Sequence, residues 1–283
     1  MTDISQTDQA NEKVVVSPAK GNVFDIAIAD IQDAVRLAPL WLRTGWFTIV
    51  QGYSRTVLGP LWHTLGLAAF VVVMGTIWGV ILKQDPSTYY KYVTVSLMIW
   101  MLISSMITGG SGILINGHAT ALSMRFPYVA FAFGHVWQSL LLFAHHLILY
   151  VFVMVGTQSS PGFGVLLAIP ALVLILANGV WMSMLCGMLC LRRRDLGPLA
   201  GSAMQVMMFV TPVFWPKDML GPELAWATDL NPLFHFVQII RQPLLGEPVA
   251  IESWYWAVAS LIIGTIVTMA LYGRYRRHMA YWY

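Results

Sequence analysis

Charge is scarce in this chain. Only 10% of its 283 residues are Asp, Glu, Lys or Arg, against about 25% in an ordinary soluble domain. All thirteen acids lie outside the centres of the long apolar runs, and so do the lysines and arginines. That placement argues against a transporter coupled to protons or sodium, which needs an ionisable or coordinating group inside the membrane. The titratable candidates there are His63, His135 and the neighbours His145 and His146. Adjacent helical residues point about 100° apart, so the last two form no compact site by themselves. A structural or pore-lining role is favoured over a proton relay. Cysteine is scarce as well. Cys186 and Cys190 stand four apart with no further ligand nearby in sequence, which reads as two reduced, buried thiols and no metal site. G-x-x-x-x-G-K-[ST], H-E-x-x-H and G-x-S-x-G are all missing, so the chain has no phosphate-binding loop of its own. A net charge of +3, without a basic cluster interleaved with stacking aromatics, excludes a nucleic-acid partner. The energy source is expected outside this chain.

What the chain does have is apolar length. Hydrophobic residues make up 58% of it, with 12 Trp and 16 Met, as in a lipid-embedded protein with aromatic rings at its interfaces. Six runs approach the roughly 20 residues that cross the hydrocarbon as a helix: 61–82, 93–115, 129–155, 165–191, 199–215 and 254–272. The fifth is short and proline-rich at its end. The runs are continuous and do not alternate, which disfavours a barrel. The fold class expected is an all-α integral membrane protein with six transmembrane helices. With the N-terminus inside, twelve Lys and Arg fall on the cytoplasmic side and four outside; this bias places both termini in the cytoplasm.

Residues 1–22 are polar and aperiodic, and are expected to form a disordered cytoplasmic tail without a signal peptide. Residues 23–60 lead into the first span. On a helical wheel, Asp25, Asp30, Asp33, Arg36 and Arg43 share one side, and Phe24, Ala27, Ile28, Ile31, Val35, Ala38 and Leu42 share the other. That pattern, with Trp41 and Trp46 near its end, predicts an amphipathic helix in the membrane interface. Pro39 should kink or split it. The membrane domain is expected over 61–273 and a C-terminal cytoplasmic tail over 274–283. Within the membrane domain, 216–252 is long for a connection and rich in apolar residues. Short re-entrant helices before the last span explain it better than a flexible loop.

Several pieces in order resemble the membrane subunit of ABC exporters for lipid-linked polysaccharides, the O-antigen, capsule and teichoic-acid permeases. They are Tyr53-Ser54-Arg55-Thr56-Val57-Leu58-Gly59-Pro60-Leu61-Trp62, then Arg192-Arg193-Arg194-Asp195 with Thr211-Pro212-Val213-Phe214, then Asn231-Pro232-Leu233 with Arg241. The end, Gly273-Arg274-Tyr275-Arg276-Arg277 and Tyr281-Trp282, is similar too. Basic residues common before the tyrosine are replaced here by Val50 and Gly52. The resemblance implies a multi-pass subunit of the bacterial inner membrane, with no cofactor of its own. ATP and magnesium would sit on a separate ABC ATPase subunit, and a second copy of the chain would complete the channel. The cargo implied is an undecaprenyl-pyrophosphate-linked glycan. Arg36, Arg43 and Arg55 could draw its pyrophosphate through charge-assisted hydrogen bonds, with Tyr53 and Trp62 against lipid or sugar. Plain positive-inside anchoring is the alternative. The segment 116–128, with Asn116, Met124, Arg125, Phe126 and Pro127, is the expected contact with the ATPase, as a short coupling helix or as a plain connecting loop. Pro212, Phe214, Trp215, Asn231, Pro232, Phe234, Val237 and Arg241 mark the expected outer gate. Arg241 would reach outer head groups or an acid such as Glu223. A capsule or teichoic-acid exporter is the near alternative, and a glycolipid transferase using His145 or His146 as a base the distant one.

Overall fold

The computed structural model describes residues 22–124 and 126–282, and these form helices and turns with no strand. Helix α1 (Val23–Arg36) starts at Asn22. The Asn22 side chain accepts from the Val23 amide, and Asp25 reaches back to the Asn22 N–H at 2.9 Å, a reciprocal capping box. A break at Leu37 separates it from α2 (Ala38–Tyr53), where Pro39 occupies the first turn. There its missing N–H would have no helical partner anyway. The proline therefore splits the interface segment into two helices.

One part of the wheel needs correction. Asp30 points into the bundle, where it accepts from the Tyr272 hydroxyl and, at 2.7 Å, from Arg276 Nε. The apolar side also divides. Ala27 and Ala34 are buried, while Phe24, Ile28 and Val35 are exposed. A two-sided wheel assumes two surroundings and cannot separate the small residues that pack on the bundle from the large apolar ones left exposed.

Among the described residues, five helical stretches are long and apolar enough to cross a membrane: Leu61–Ile81, Pro86–His118, Tyr128–Gly156, Gly162–Arg192 and Ile251–Tyr275. The first is α3. The second contains α4 (Pro86–Thr108) and the start of α5 (Gly110–Met124), which meet at Gly109. The third is α6, the fourth is a 3-10 turn (Gly162–Leu167) leading into α7 (Ala168–Arg192), and the last is α11. The expected span at 199–215 is instead α8 (Leu196–Val210), 15 residues long. At 1.5 Å per residue that is about 22 Å, short of a hydrocarbon core of about 30 Å. Pro212 explains the early stop, because the residue before a proline avoids the helical region; Thr211 is extended at ψ 136°.

The second boundary is also corrected. The helix after Gly109 runs past Ile115 and through Asn116 to Met124, so among the described residues the first part of 116–128 continues the helix of the second span. Gly117 does not break it. A Cβ there would lie 2.6 Å from the Phe131 ring, so glycine permits close packing onto α6. Arg125 lies outside the described residues. Pro127 then caps α6 in extended geometry, ψ 128°.

Helix α4 is the centre of the bundle. Every residue from Val93 to Trp100 is buried, as expected of a helix covered on all sides. Beyond it α5 crosses α7 closely, where a Cβ on Gly110 would meet Ser183 Cα at 2.6 Å. Ser183 Oγ donates to the Met106 carbonyl at 2.8 Å and Asn178 Nδ2 to the Ala257 carbonyl at 3.1 Å. Small contact residues and polar bonds hold helices together where the hydrophobic effect is weak.

The segment 216–252 is structured. A 3-10 turn (Lys217–Met219), α9 (Pro222–Asp229) and α10 (Pro232–Leu245) precede α11. Most of α10 is buried, and it ends at Gly246 with φ 78°, the left-handed geometry that glycine permits.

Candidate functional site

The residues expected at the outer gate converge. Arg241, on α10, is 3% exposed. Its Nη1 donates to the Tyr92 hydroxyl at 2.8 Å, Ser96 Oγ at 3.0 Å and the Pro212 carbonyl at 2.7 Å. Its Nε and Nη2 donate to Gln238 Oε1 at 3.3 and 2.9 Å, and its guanidinium carbon lies 4.4 Å from the Tyr92 ring centroid. Among the described residues no carboxylate pairs with it, which corrects the expected reach to Glu223 or head groups. Burying a cation costs several kcal/mol, and here neutral acceptors and a π-face offset that cost.

The same knot holds the turn after α8. The Tyr92 hydroxyl also reaches the Pro212 and Trp215 carbonyls at 2.9 and 2.8 Å, and the Tyr89 hydroxyl donates to the Phe214 carbonyl. Asn231 caps α10 through the Leu233 amide at 3.0 Å, and its Nδ2 donates to Thr211 Oγ1 at 2.9 Å. Two separate pieces of the sequence, Thr211-Pro212 and Asn231-Pro232, thus meet in space. Phe234 and Val237 are buried beside them, Trp215 is half-buried and Pro232 is exposed. Tyr89, Tyr92 and Ser96 went unnoticed in sequence. The available signal was hydroxyl groups spaced along an otherwise apolar helix.

The residues expected to meet the cargo do not form a cluster. The Arg36 side chain is 77% exposed and paired to Asp33 at 3.4 Å. Arg43 and Arg55 are exposed, without a hydrogen bond or ion pair to any described residue. Tyr53 is half-buried, 5.9 Å edge-on from His63, and burial pushes its phenol pKa up. Trp62 is exposed. At the expected ATPase contact, Asn116 is exposed, while Phe126 is buried edge-on against Phe131 at 5.0 Å. Arg125 falls outside the described residues, and Met124 contributes only its place at the end of α5.

The chain ends fasten this side. Arg276 lies 4.9 Å from the Tyr128 ring, next to the turn after α5. Burial works against its charge, but the Tyr272 and Asp30 oxygens outweigh that and hold its pKa above the ordinary arginine value. Gly273 lies against the Val23 carbonyl so closely that a Cβ has no room. Arg192 faces the Tyr275 and Trp282 rings at 5.8 and 5.7 Å, joining two more pieces of the sequence.

Among the described residues, none of His63, His135, His145 and His146 is hydrogen-bonded to another. His135 Nε2 lies 2.9 Å from the Ser105 carbonyl, and His145 Nδ1 lies 2.7 Å from the Leu141 carbonyl. His146 is buried beside a cavity of about 80 Å³ that His63 also lines.

The ABC-2 type transporter family model matches residues 41–245, from α2 through the Arg241 knot and well over half the chain. The chain belongs to that family. An O-antigen export system permease protein RfbA of Klebsiella pneumoniae is 20% identical over 231 residues, covering 81% of this chain and 88% of its own. A protein of the same name from Myxococcus xanthus is 24% identical over 223 residues, covering 74% and 85%. As an ABC-2 protein, this chain places most of α2, the central helix α4 and the buried Arg241 within the family region.

Proposed function

We propose that this chain is the permease of an ATP-driven exporter moving lipid-linked polysaccharide, O-antigen above all, across the inner membrane. The observation that carries this reading is the family match over 41–245, joined to relatives named for O-antigen export over most of their length. In this reading ATP and magnesium belong to a separate ABC ATPase, and the sequence, without a G-x-x-x-x-G-K-[ST] loop, is consistent with that division. The end of α5 and the turn after it, with Asn116, Arg125 and Phe126, are the docking point for that subunit. Arg276 and Asp30 brace the turn through Tyr128.

In this reading α8 and the turn after it serve as the sixth crossing, short as the helix is, and both termini face the cytoplasm. Exposed apolar side chains on α3 and α8, such as Val72, Val80, Leu199 and Phe209, meet lipid or a second copy. Two copies enclose the glycan path, since one bundle filled by α4 leaves no passage for a glycan. Arg36, Arg43 and Arg55 gather the pyrophosphate at the cytoplasmic interface, where their exposure leaves them available. The Arg241 knot, with Pro212, Phe214, Trp215, Asn231, Pro232, Phe234 and Val237, closes the path on the outside.

The test is co-purification. Expressed with a tag in its native cell, the permease should recover an ABC ATPase in equal amount with itself. A permease recovered alone, and able to modify glycolipids unaided, would overturn the reading.

A further inference from the structure

A groove of about 560 Å³ lies between α2, α5 and α6, within the size range of small-ligand pockets, about 300–1,000 Å³. Its polar lining comes in pairs at helical spacing: Thr44 and Thr48 from α2, Asn116 and Thr120 from α5, His135 and Gln138 from α6. No Asp, Glu, Lys or Arg lines it among the described residues. A phosphate or ammonium head group asks for opposite charge or converging N–H donors, and this lining supplies neither. The Thr44 and Thr48 hydroxyls donate to the Trp41 and Thr44 carbonyls at 3.2 and 2.8 Å, which leaves their oxygens as acceptors. Together with the Asn116 and Gln138 amides and the aromatic rings they suit a ligand rich in uncharged hydroxyl groups with apolar C–H faces.

The aromatic part is held in place before any ligand arrives. Trp41 lines the groove, yet its indole N–H donates to the Ala34 carbonyl at 2.9 Å and its ring stacks on Phe133 at 5.6 Å and 20°. Phe131 is braced by Phe126 at 5.0 Å, and His135 is tied to the Ser105 carbonyl at 2.9 Å. A fixed platform reduces the ordering cost of binding.

We propose that this groove is a subsite for an uncharged glycosyl unit of the exported glycan, within each protomer and apart from the path between protomers. The proposal rests on the exporter reading above. It also connects cargo to energy: Asn116 and Phe126 line the groove and belong to the segment that would meet the ATPase. A sugar seated against them would be sensed at that contact.

The experiment uses the complete exporter, permease with its ATPase, in nanodiscs of phosphatidylethanolamine and phosphatidylglycerol. The probes are tritiated dodecyl maltoside, whose head is an uncharged disaccharide, and tritiated dodecylphosphocholine. Dodecyl maltoside should bind saturably. The double variant Thr48→Val with Gln138→Leu should weaken that binding about tenfold, the loss expected for two neutral hydrogen bonds, and leave dodecylphosphocholine unchanged. Thr48→Ser should retain the wild-type affinity, which separates a lost contact from a lost fold. Equal maltoside binding by wild type and double variant would overturn the proposal. So would a parallel loss of dodecylphosphocholine, which would make the groove a lipid head-group site. Either failure leaves wild-type export untouched, whereas failure of the exporter reading appears as a wild type that moves no glycan.

Discussion

At the scale of single residues, Arg241 bears the heaviest constraint. It is a buried cation with neutral partners, and those partners lie 149, 145 and 29 positions away in sequence. A lone arginine in an apolar segment was visible in the sequence, but the direction of its side chain was not. Distance along the chain hid Tyr92, Ser96 and Pro212, so lipid head groups and Glu223 looked nearer than they are. Arg241→Gln should cost on the order of 3 kcal/mol, because several acceptors lose a charged donor at once. A lower midpoint of thermal unfolding in the purified protein checks this, and an unchanged midpoint would remove Arg241 from the gate. Arg36, Arg43 and Arg55 are the opposite case. They are exposed and spread out, so replacing them singly or together with Gln should barely alter stability. Surface charges of this kind contribute about 0–1 kcal/mol. If they gather pyrophosphate, the triple variant should cut glycan export several-fold at constant expression, with the defect shrinking at high salt. Full export by that variant would leave them as topology signals.

At the scale of elements, periodicity and punctuation were readable and surroundings were not. Pro39 announced the α1–α2 break, whereas Asn231-Pro232 stood out only as part of a resemblance and proves to start α10. The wheel of α1 failed at Asp30, since a period of 3.6 cannot separate a protein-facing arc from a lipid-facing one. The expected span end at 115 missed the continuation of α5 to Met124, where Gly117 packs closely against Phe131. The groove between α2, α5 and α6 was unreadable, because each helix gives it only two polar side chains. For α10 the expectation is concrete. Phe234 and Val237 are buried, at 3% and 0% exposure. Single cysteines there, in a background lacking Cys186 and Cys190, should label slowly with impermeant thiol reagents at rest. Labelling should rise when ATP and cargo are supplied. Full labelling at rest would make the segment an exposed loop and end its role as a gate. A second element, the cap of α4, carries a pH signature. Ser87 and the Thr88 amide bond the Asp85 carboxylate and lower its pKa below the usual value. Its contribution is therefore present above the ordinary carboxylate pKa and lost as pH falls through the lowered one. Asp85→Ala should loosen the start of α4 in hydrogen exchange at neutral pH, and the difference from wild type should vanish in strong acid.

At the scale of the whole molecule, three places along the chain matter to the proposed function. In that proposal the α1–α2 segment would receive cargo, the end of α5 and the turn after it would receive the work of an ATPase, and the Arg241 knot would hold the far end closed. The central helix links the last two, since α4 carries Tyr92 and Ser96 and continues through Gly109 into α5. A push at the α5 end can therefore reach the knot through one nearly continuous helical body. The most direct test is transport in proteoliposomes containing the permease and its ATPase, with radiolabelled lipid-linked glycan supplied on the ATPase side. Wild type should move glycan inward only with hydrolysable ATP, and Arg125→Glu should abolish movement by at least tenfold while inserting normally, the size expected when a charge contact at an interface is reversed. Glycan movement without ATP, or equal movement by Arg125→Glu, would contradict the account.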